Sequence, residues 1–133
     1  MKRFLSRFLA LTLVLVVGLM GCSNASSTGL TGDYRQDTLG LIQTLKTSLA
    51  LSKDAPERGA AQEQAKSQIN DFFSRYRKDG ALSKLNSFTT MRTALNSLAG
   101  HYTSYPNRPV PEKLKKRLDQ EFGQVESALR RES

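Results

Sequence analysis

Residues 87–111, SFTTMRTALNSLAGHYTSYPNRPVP, decide the fold. Phe88, Met91, Leu95, Leu98, Tyr102 and Tyr105 recur at alternating steps of three and four, the spacing that lines one face of an α-helix and forms a bundle seam. Ser87 stands where a hydroxyl caps a first turn. The run then enters Tyr105-Pro-Asn-Arg-Pro-Val-Pro111, where three prolines fix the backbone and remove donors, so the helix must stop and the chain must turn rigidly.

The helical period extends in both directions. Pro111 opens a fourth helix, whose stripe is Leu114, Leu118, Phe122, Val125 and Leu129. Upstream, a second helix is predicted to start after Asp54 as its cap, with Pro56 in the first turn. Its core face is Ala61, Ala65, Ile69, Phe72, Phe73 and Tyr76, and Lys78-Asp79-Gly80 ends it with a left-handed glycine. A first helix is predicted over Asp33 to Leu51, with Leu39, Ile42, Leu45 and Leu49 as its stripe and Leu41 at the flank. Gly40 costs that helix about 1 kcal/mol relative to Ala and marks a close helix contact. No alternating apolar run suggests strands, and no internal repeat is present. The expected fold class is all-α, an up-down four-helix bundle over residues 33–133.

The N-terminal segment reads differently. Lys2, Arg3 and Arg7 precede an apolar run from Phe8 to Met20, and Leu19-Met20-Gly21-Cys22 closes it. That is the order of a secretory signal peptide, and a span needs about 20 apolar residues, so cleavage is the expectation rather than anchoring. Residues 1–21 are read as a lipoprotein signal peptide. Cys22 supplies the thiol that takes up diacylglycerol as a thioether, with N-acylation of the new first residue; a plain signal peptide with an incidental cysteine is the alternative. It is the one cysteine in the chain, so no internal disulfide is possible. Residues 22–32 are then a small, polar, flexible tether carrying the lipidated Cys22. Acyl chains at about 0.8 kcal/mol per buried CH₂ hold such a protein on the membrane without a spanning helix.

The chain of 133 residues carries 20 Lys and Arg against 12 Asp and Glu. Losing the three cations of the signal peptide leaves a surplus of five, and an exported basic protein meets acidic lipid or acidic protein surface rather than nucleic acid, so no nucleic acid is expected as partner. Arg75, Arg77 and Lys78 sit in a last turn, where the helix dipole favours cations. Lys113, Lys115, Lys116 and Arg117 sit in the first turns of the fourth helix, where each is disfavoured by a few tenths to about 1 kcal/mol. Pairing of Glu112 with Lys116, Lys115 with Asp119 and Arg117 with Glu121 offsets part of this, leaving either a solvated face or a docking patch. His101 is the one histidine. It flanks the Leu98 to Tyr102 stripe and reads as a half-buried helix residue rather than a base. With no His and carboxylate ligand set, no phosphate loop and no nucleophile elbow, the sequence implies no enzyme, no metal and no cofactor beyond the covalent lipid.

Asp33-Tyr34, Asp37-Thr38, Tyr76-Arg77, the run Met91-Arg92-Thr93-Ala94-Leu95-Asn96-Ser97-Leu98-Ala99-Gly100-His101-Tyr102, Pro109-Val110-Pro111 and Lys113-Leu114 occur in an order that resembles the small lumenal assembly lipoproteins of photosystem II, number twenty-seven in that subunit series. The resemblance covers the whole mature chain, is most specific over Ala94 to Tyr102, and points to the cyanobacterial, lipid-carrying type. It implies a lipid-anchored protein on the lumenal side of the thylakoid membrane, monomeric when free. The implied partner is the lumenal loop of the forty-three-kilodalton chlorophyll-binding core antenna subunit. Binding is implied in assembly and repair intermediates that lack a mature manganese cluster, with release as extrinsic subunits assemble. In or next to the resembling segments, Arg77, Arg92, Asn96, His101, Tyr102 and Arg108 are the expected docking residues, Tyr102 falling on the predicted stripe as well. An extrinsic lipoprotein of the mature oxygen-evolving complex and a general envelope lipoprotein are the two alternatives, since bundles host many functions.

Overall fold

The computed structural model describes residues 30–132; the expected signal peptide, Cys22 and most of the expected tether lie outside them. Four helices follow in order: α1 (Tyr34–Leu49), α2 (Arg58–Tyr76), α3 (Asn86–Ser104) and α4 (Glu112–Glu132), with a 3₁₀ turn, Leu82–Lys84, before α3. Each helix packs on its neighbour in sequence, and α4 closes the ring against α1. Short connections force consecutive helices to run antiparallel, which makes this the expected up-down four-helix bundle.

The seams of α3 and α4 lie where their period put them. Phe88, Met91, Leu95, Leu98 and Tyr102 are buried, as are Leu118, Phe122, Val125 and Leu129, and Leu114 packs at the margin. From α2 come Ala65, Ile69, Phe72, Phe73 and Tyr76. Each large apolar side chain so enclosed contributes about 1.5–3 kcal/mol against the entropy of ordering the chain. Tyr105 does not join this core; it lies beyond the last turn of α3 and is 53% exposed.

Helix α1 turns a different face inward from the one expected. Leu41 is buried with Ile42 and Leu45, whereas Leu39 is exposed and Leu49 only half-buried. The buried polar pair Asp37 and Thr38 takes the place on the inner face that the apolar pattern gave to Leu39. Gly40 makes no close helix contact, because a Cβ there would meet nothing within 4 Å.

The ends of α2 and the start of α3 also depart from expectation. Asp54 lies in the preceding turn, and α2 begins at Arg58 after Glu57, which makes no side-chain cap. Ala61 is half-buried while its neighbour Gln62 is buried, since the Gln62 amide donates to the Arg108 carbonyl at 3.2 Å. Gly80 has no positive φ; α2 stops at Tyr76, and the Asp79 carboxylate instead accepts the amides of Ala81 and Leu82, which starts the 3₁₀ turn. Ser87 lies inside the first turn of α3 rather than capping it, and Leu85 at the cap position has no side-chain acceptor to offer. Pro111 does open α4, its carbonyl accepting the Lys115 amide at 3.0 Å, and Asn107 (φ 65°) turns the proline segment.

Candidate functional site

The six expected docking residues do not form one surface. Arg77 follows the last turn of α2, its guanidinium 4.6 Å above the Phe73 ring, a cation–π contact that leaves the charge exposed. Arg92 and Asn96 are exposed one turn apart on α3. His101 lies roughly 140–180° further round the same helix, given about 100° per residue, and so faces away from them. Its ring is half-buried between Tyr102 and Tyr105, 6.2 and 5.4 Å away by centroid, and its Nε2 has no hydrogen-bond partner among the described residues. Arg108 is exposed in the proline turn, at the end of the bundle opposite Arg77.

Tyr102 is a core residue. It is 3% exposed, and burial pushes its hydroxyl above the usual phenol range despite help from Ser48, so no partner reaches the ring without unpacking α3. Of the expected set, Arg92 and Asn96 lie on one face of α3, Arg77 and Arg108 are exposed at opposite ends of the bundle, His101 is half-buried and Tyr102 is buried.

The most elaborate polar arrangement lies at the end where the chain enters the bundle. Asp37, 5% exposed, accepts from the Thr31 amide at 2.7 Å, the Thr31 hydroxyl at 2.8 Å and the Gly32 amide at 3.1 Å, and from the Tyr76 hydroxyl. Burial pushes its carboxyl upward, but these donors together outweigh it and hold Asp37 below the usual carboxylate range. Burial, then the Asp37 hydrogen bond and charge, drive Tyr76 far above an ordinary phenol. Gly32 takes φ +93°, and a Cβ there would stand 2.7 Å from Nη2 of Arg75, so the entering chain runs under that guanidinium. The last two tether residues are therefore fastened to the bundle, contrary to their reading as flexible linker.

A second polar chain lies at the same end. The Tyr34 hydroxyl meets Ser87 Oγ at 2.7 Å, and Ser87 Oγ donates to the Glu132 carboxylate at 2.6 Å. Glu132 also accepts the Ser87 amide at 3.1 Å, so a carboxylate from the end of α4 caps the N-terminus of α3 where its own cap position fails. Burial raises Tyr34 above its ordinary value. Asp37, Tyr34 and Tyr76 all fall in the segments that carry the family resemblance, which was their signal in the sequence; their roles depend on contacts 39 and 53 residues apart.

Of the expected pairs on α4, Arg117 and Glu121 form at 2.7 Å, while Lys115 turns back to Glu112 at 3.6 Å. Lys46 on α1 crosses to Glu126 on α4 at 3.0 Å. Among the described residues no group of three His, Cys, Asp or Glu side chains could hold a metal ion, and no helix is long and apolar enough to cross a membrane.

The fold is a small antiparallel four-helix bundle. The sequence profile described as Photosystem II Pbs27 matches residues 6–129. The Photosystem II assembly factor lipoprotein Psb27 of Thermosynechococcus vestitus is 56% identical over 133 residues, covering 100% of this chain and 98% of that one. The Photosystem II lipoprotein Psb27 of Synechocystis is 57% identical over 131 residues, 98% of this chain and 96% of that one. A chloroplast photosystem II repair protein of Arabidopsis thaliana is 34% identical over 74% of this chain and 58% of its own. Among solved structures, that of Psb27 from cyanobacterial photosystem II, determined in solution, matches with a TM-score of 0.76 at 58% identity, covering 81% of this chain and 94% of that one. The crystal structure of PSB27 from Arabidopsis thaliana gives 0.71 at 34% identity, covering 75% and 98%. The chain belongs to the Photosystem II Pbs27 family, whose members are assembly factors and not enzymes.

Proposed function

We propose that this chain is a photosystem II assembly and repair lipoprotein, anchored through a diacylglycerol on Cys22 to the lumenal side of the thylakoid membrane. It docks on the lumenal loop of the forty-three-kilodalton chlorophyll-binding core antenna subunit in intermediates that lack a mature manganese cluster, and leaves as the extrinsic subunits assemble. The observation that carries this reading is full-length similarity at 56% and 57% identity to proteins described as a photosystem II assembly factor lipoprotein and a photosystem II lipoprotein.

The chemistry of such a factor is steric and electrostatic. A lipid anchor confines the search for a membrane-embedded partner and raises its effective concentration, so binding need not be tight. A modest polar interface is displaceable, as a factor that must leave requires. Arg92 and Asn96, exposed side by side on α3, are the pair of expected docking residues best placed to act together, with Arg77 and Arg108 as separate cationic contacts.

The test is immunopurification of the protein from its native membranes in mild detergent, with the co-purifying subunits and their oxygen evolution measured. The expected result is inactive photosystem II particles that contain the core antenna subunit and lack extrinsic subunits. Recovery with active complexes would make it an extrinsic subunit of the mature complex. Recovery without any photosystem would leave a general envelope lipoprotein.

A further inference from the structure

A groove of about 360 Å³ at the C-terminal end of α2 is lined by Asn70, Phe73, Ser74, Arg77 and Lys78. Its four polar side chains, an amide, a hydroxyl, a guanidinium and an ammonium, can all donate hydrogen bonds, and no carboxylate joins the lining. All four are exposed, and among the described residues none of them makes a side-chain hydrogen bond or ion pair; Arg77 rests on the Phe73 ring with its charge outward. Asp79, next along the chain, is occupied by the amides of Ala81 and Leu82. At the same end of the bundle Asp33 accepts the Gln36 amide and Asp37 is enclosed with Thr31 and Tyr76. The helix dipole accounts for Arg77 and Lys78 at the end of α2, but not for Lys84, two residues before α3, or Arg35, in the first turn of α1, both exposed where a cation is disfavoured.

The opposite end of the bundle also carries cations, so the tether, not charge, chooses between the ends. Thr31 and Gly32 are fastened to Asp37, and Asp37 to Tyr76 in the last turn of α2, so the chain leaves the bundle at the groove's end. Nine residues separate Cys22 from Thr31. Fully extended, such a length spans at most about 30–32 Å, and for a small, polar composition its typical end-to-end distance is about 15–18 Å. A bundle resting on its opposite end would hold Thr31 above the surface by at least the length of α1, whose 16 residues span about 24 Å, beyond that typical reach. With the groove's end downward no extension is needed. Anionic lipid attracts Lys and Arg held close to its surface, each strengthening attachment by about fivefold.

We infer that the end of the bundle at which the chain enters docks on the anionic lipid of its anchoring membrane, with one oxyanion headgroup seated between Asn70, Ser74, Arg77 and Lys78. The inference rests on the reading of Cys22 as the lipid-bearing residue. It gives Arg77 a lipid contact and leaves Arg92 and Asn96, along the side of α3, uncovered for a protein partner.

The test supplies the anchor chemically. The chain from Cys22 onward, which holds all four helices, is coupled through Cys22 to a maleimide lipid in nanodiscs of phosphatidylcholine, with or without phosphatidylglycerol, each containing a lipid with a nitroxide on its headgroup. Paramagnetic broadening of backbone amide signals reads which surface approaches the headgroups. With phosphatidylglycerol, amides of residues 77–84 should broaden about threefold or more beyond those of residues 108–116, and without it the ratio should fall below about twofold. Arg77→Glu/Lys78→Glu should abolish the difference, whereas Lys115→Glu/Lys116→Glu at the opposite end should leave it in place. Asn70→Ala/Ser74→Ala, which keeps the charge, should reduce it by about half. Circular dichroism checks that each variant retains its helix content. Equal broadening of the two ends with phosphatidylglycerol, or the same pattern without it, would overturn lipid docking and leave this end to a protein partner. Equal loss in the two charge variants would make the effect one of net charge and overturn it too, and an unchanged pattern in Asn70→Ala/Ser74→Ala would overturn the headgroup seat. Mass spectrometry of the native protein reads the natural lipid on Cys22 separately, so failure of the anchor reading and failure of the docking surface are distinguishable.

Discussion

Thr31 and Asp37 close a ring at the entry to the bundle: the Thr31 amide and hydroxyl both donate to Oδ1 of Asp37, at 2.7 and 2.8 Å. The chain is thereby fixed three residues before α1 begins. Replacing Asp37 by Ala strands the buried Tyr76 hydroxyl and frees two amides, which should cost about 1–3 kcal/mol. For a domain of this size each kcal/mol lowers the melting point by about 4–8 °C. Calorimetry measures the loss, and hydrogen exchange should show the Thr31 and Gly32 amides unprotected in the variant. A melting point within a degree of the parent would mean that the ring contributes nothing.

The same carboxylate fixes the acid limb of stability. Asp37 has a folded value below its unfolded one of about 3.9, so its contribution is present above that pH and lost as pH falls through the folded value. The phenols of Tyr76, Tyr34 and Tyr102 are raised from about 10, so their contributions are present below that pH and lost as pH rises past it. Urea titrations should therefore give a plateau between about pH 5 and 9 with losses on either side. In Asp37→Asn the acid loss should become shallower; an unchanged acid limb would assign it to other carboxylates.

The inward face of α1 is tested by two leucines. Leu41→Ala removes a side chain that is 5% exposed and should cost about 2–5 kcal/mol, whereas Leu39→Ala, at 38% exposure, should stay within about 0.5 kcal/mol. Denaturant midpoints of the two variants compare them directly. The reverse order would restore the face read from apolar spacing alone.

Glycines separate into two kinds. Gly40 and Gly123 lie within helices, and a Cβ on either meets nothing within 4 Å, so Ala at each should stabilise by about 0.5–1 kcal/mol. Gly32 at φ +93° should lose about 1–2 kcal/mol on the same change, through backbone strain and crowding of Arg75. Thermal melts of the three variants check the signs.

Stripes with an unbroken three-four period were legible in the sequence, because burying one apolar face is the dominant driving force for a bundle helix and leaves its mark on every turn. That is why Met91 to Tyr102 and Leu118 to Leu129 fell where expected. Asp37 and Thr38 were not legible as interior residues, since a polar side chain is buried only when partners from elsewhere satisfy it, here Thr31 and Tyr76 for Asp37. Helix ends were misread for the same reason. Asp54 and Ser87 have the right chemistry for caps, but Glu57 and Leu85 stand at the cap positions, and Glu132 completes α3 from another helix. As for the site, single residues such as Arg92 and Asn96 were legible as exposed polar positions on one face.

Glu132 has a practical bearing on any laboratory form of this protein. Its carboxylate holds the Ser87 amide and hydroxyl and, through that hydroxyl, Tyr34, so this one side chain helps fasten three helices together. Replacing Glu132 by Ala removes the acceptor from the Ser87 amide and hydroxyl at once. The turn between α1 and α2, where Lys53 and Asp54 are exposed and outside both helices, offers an insertion point that leaves the fastening intact.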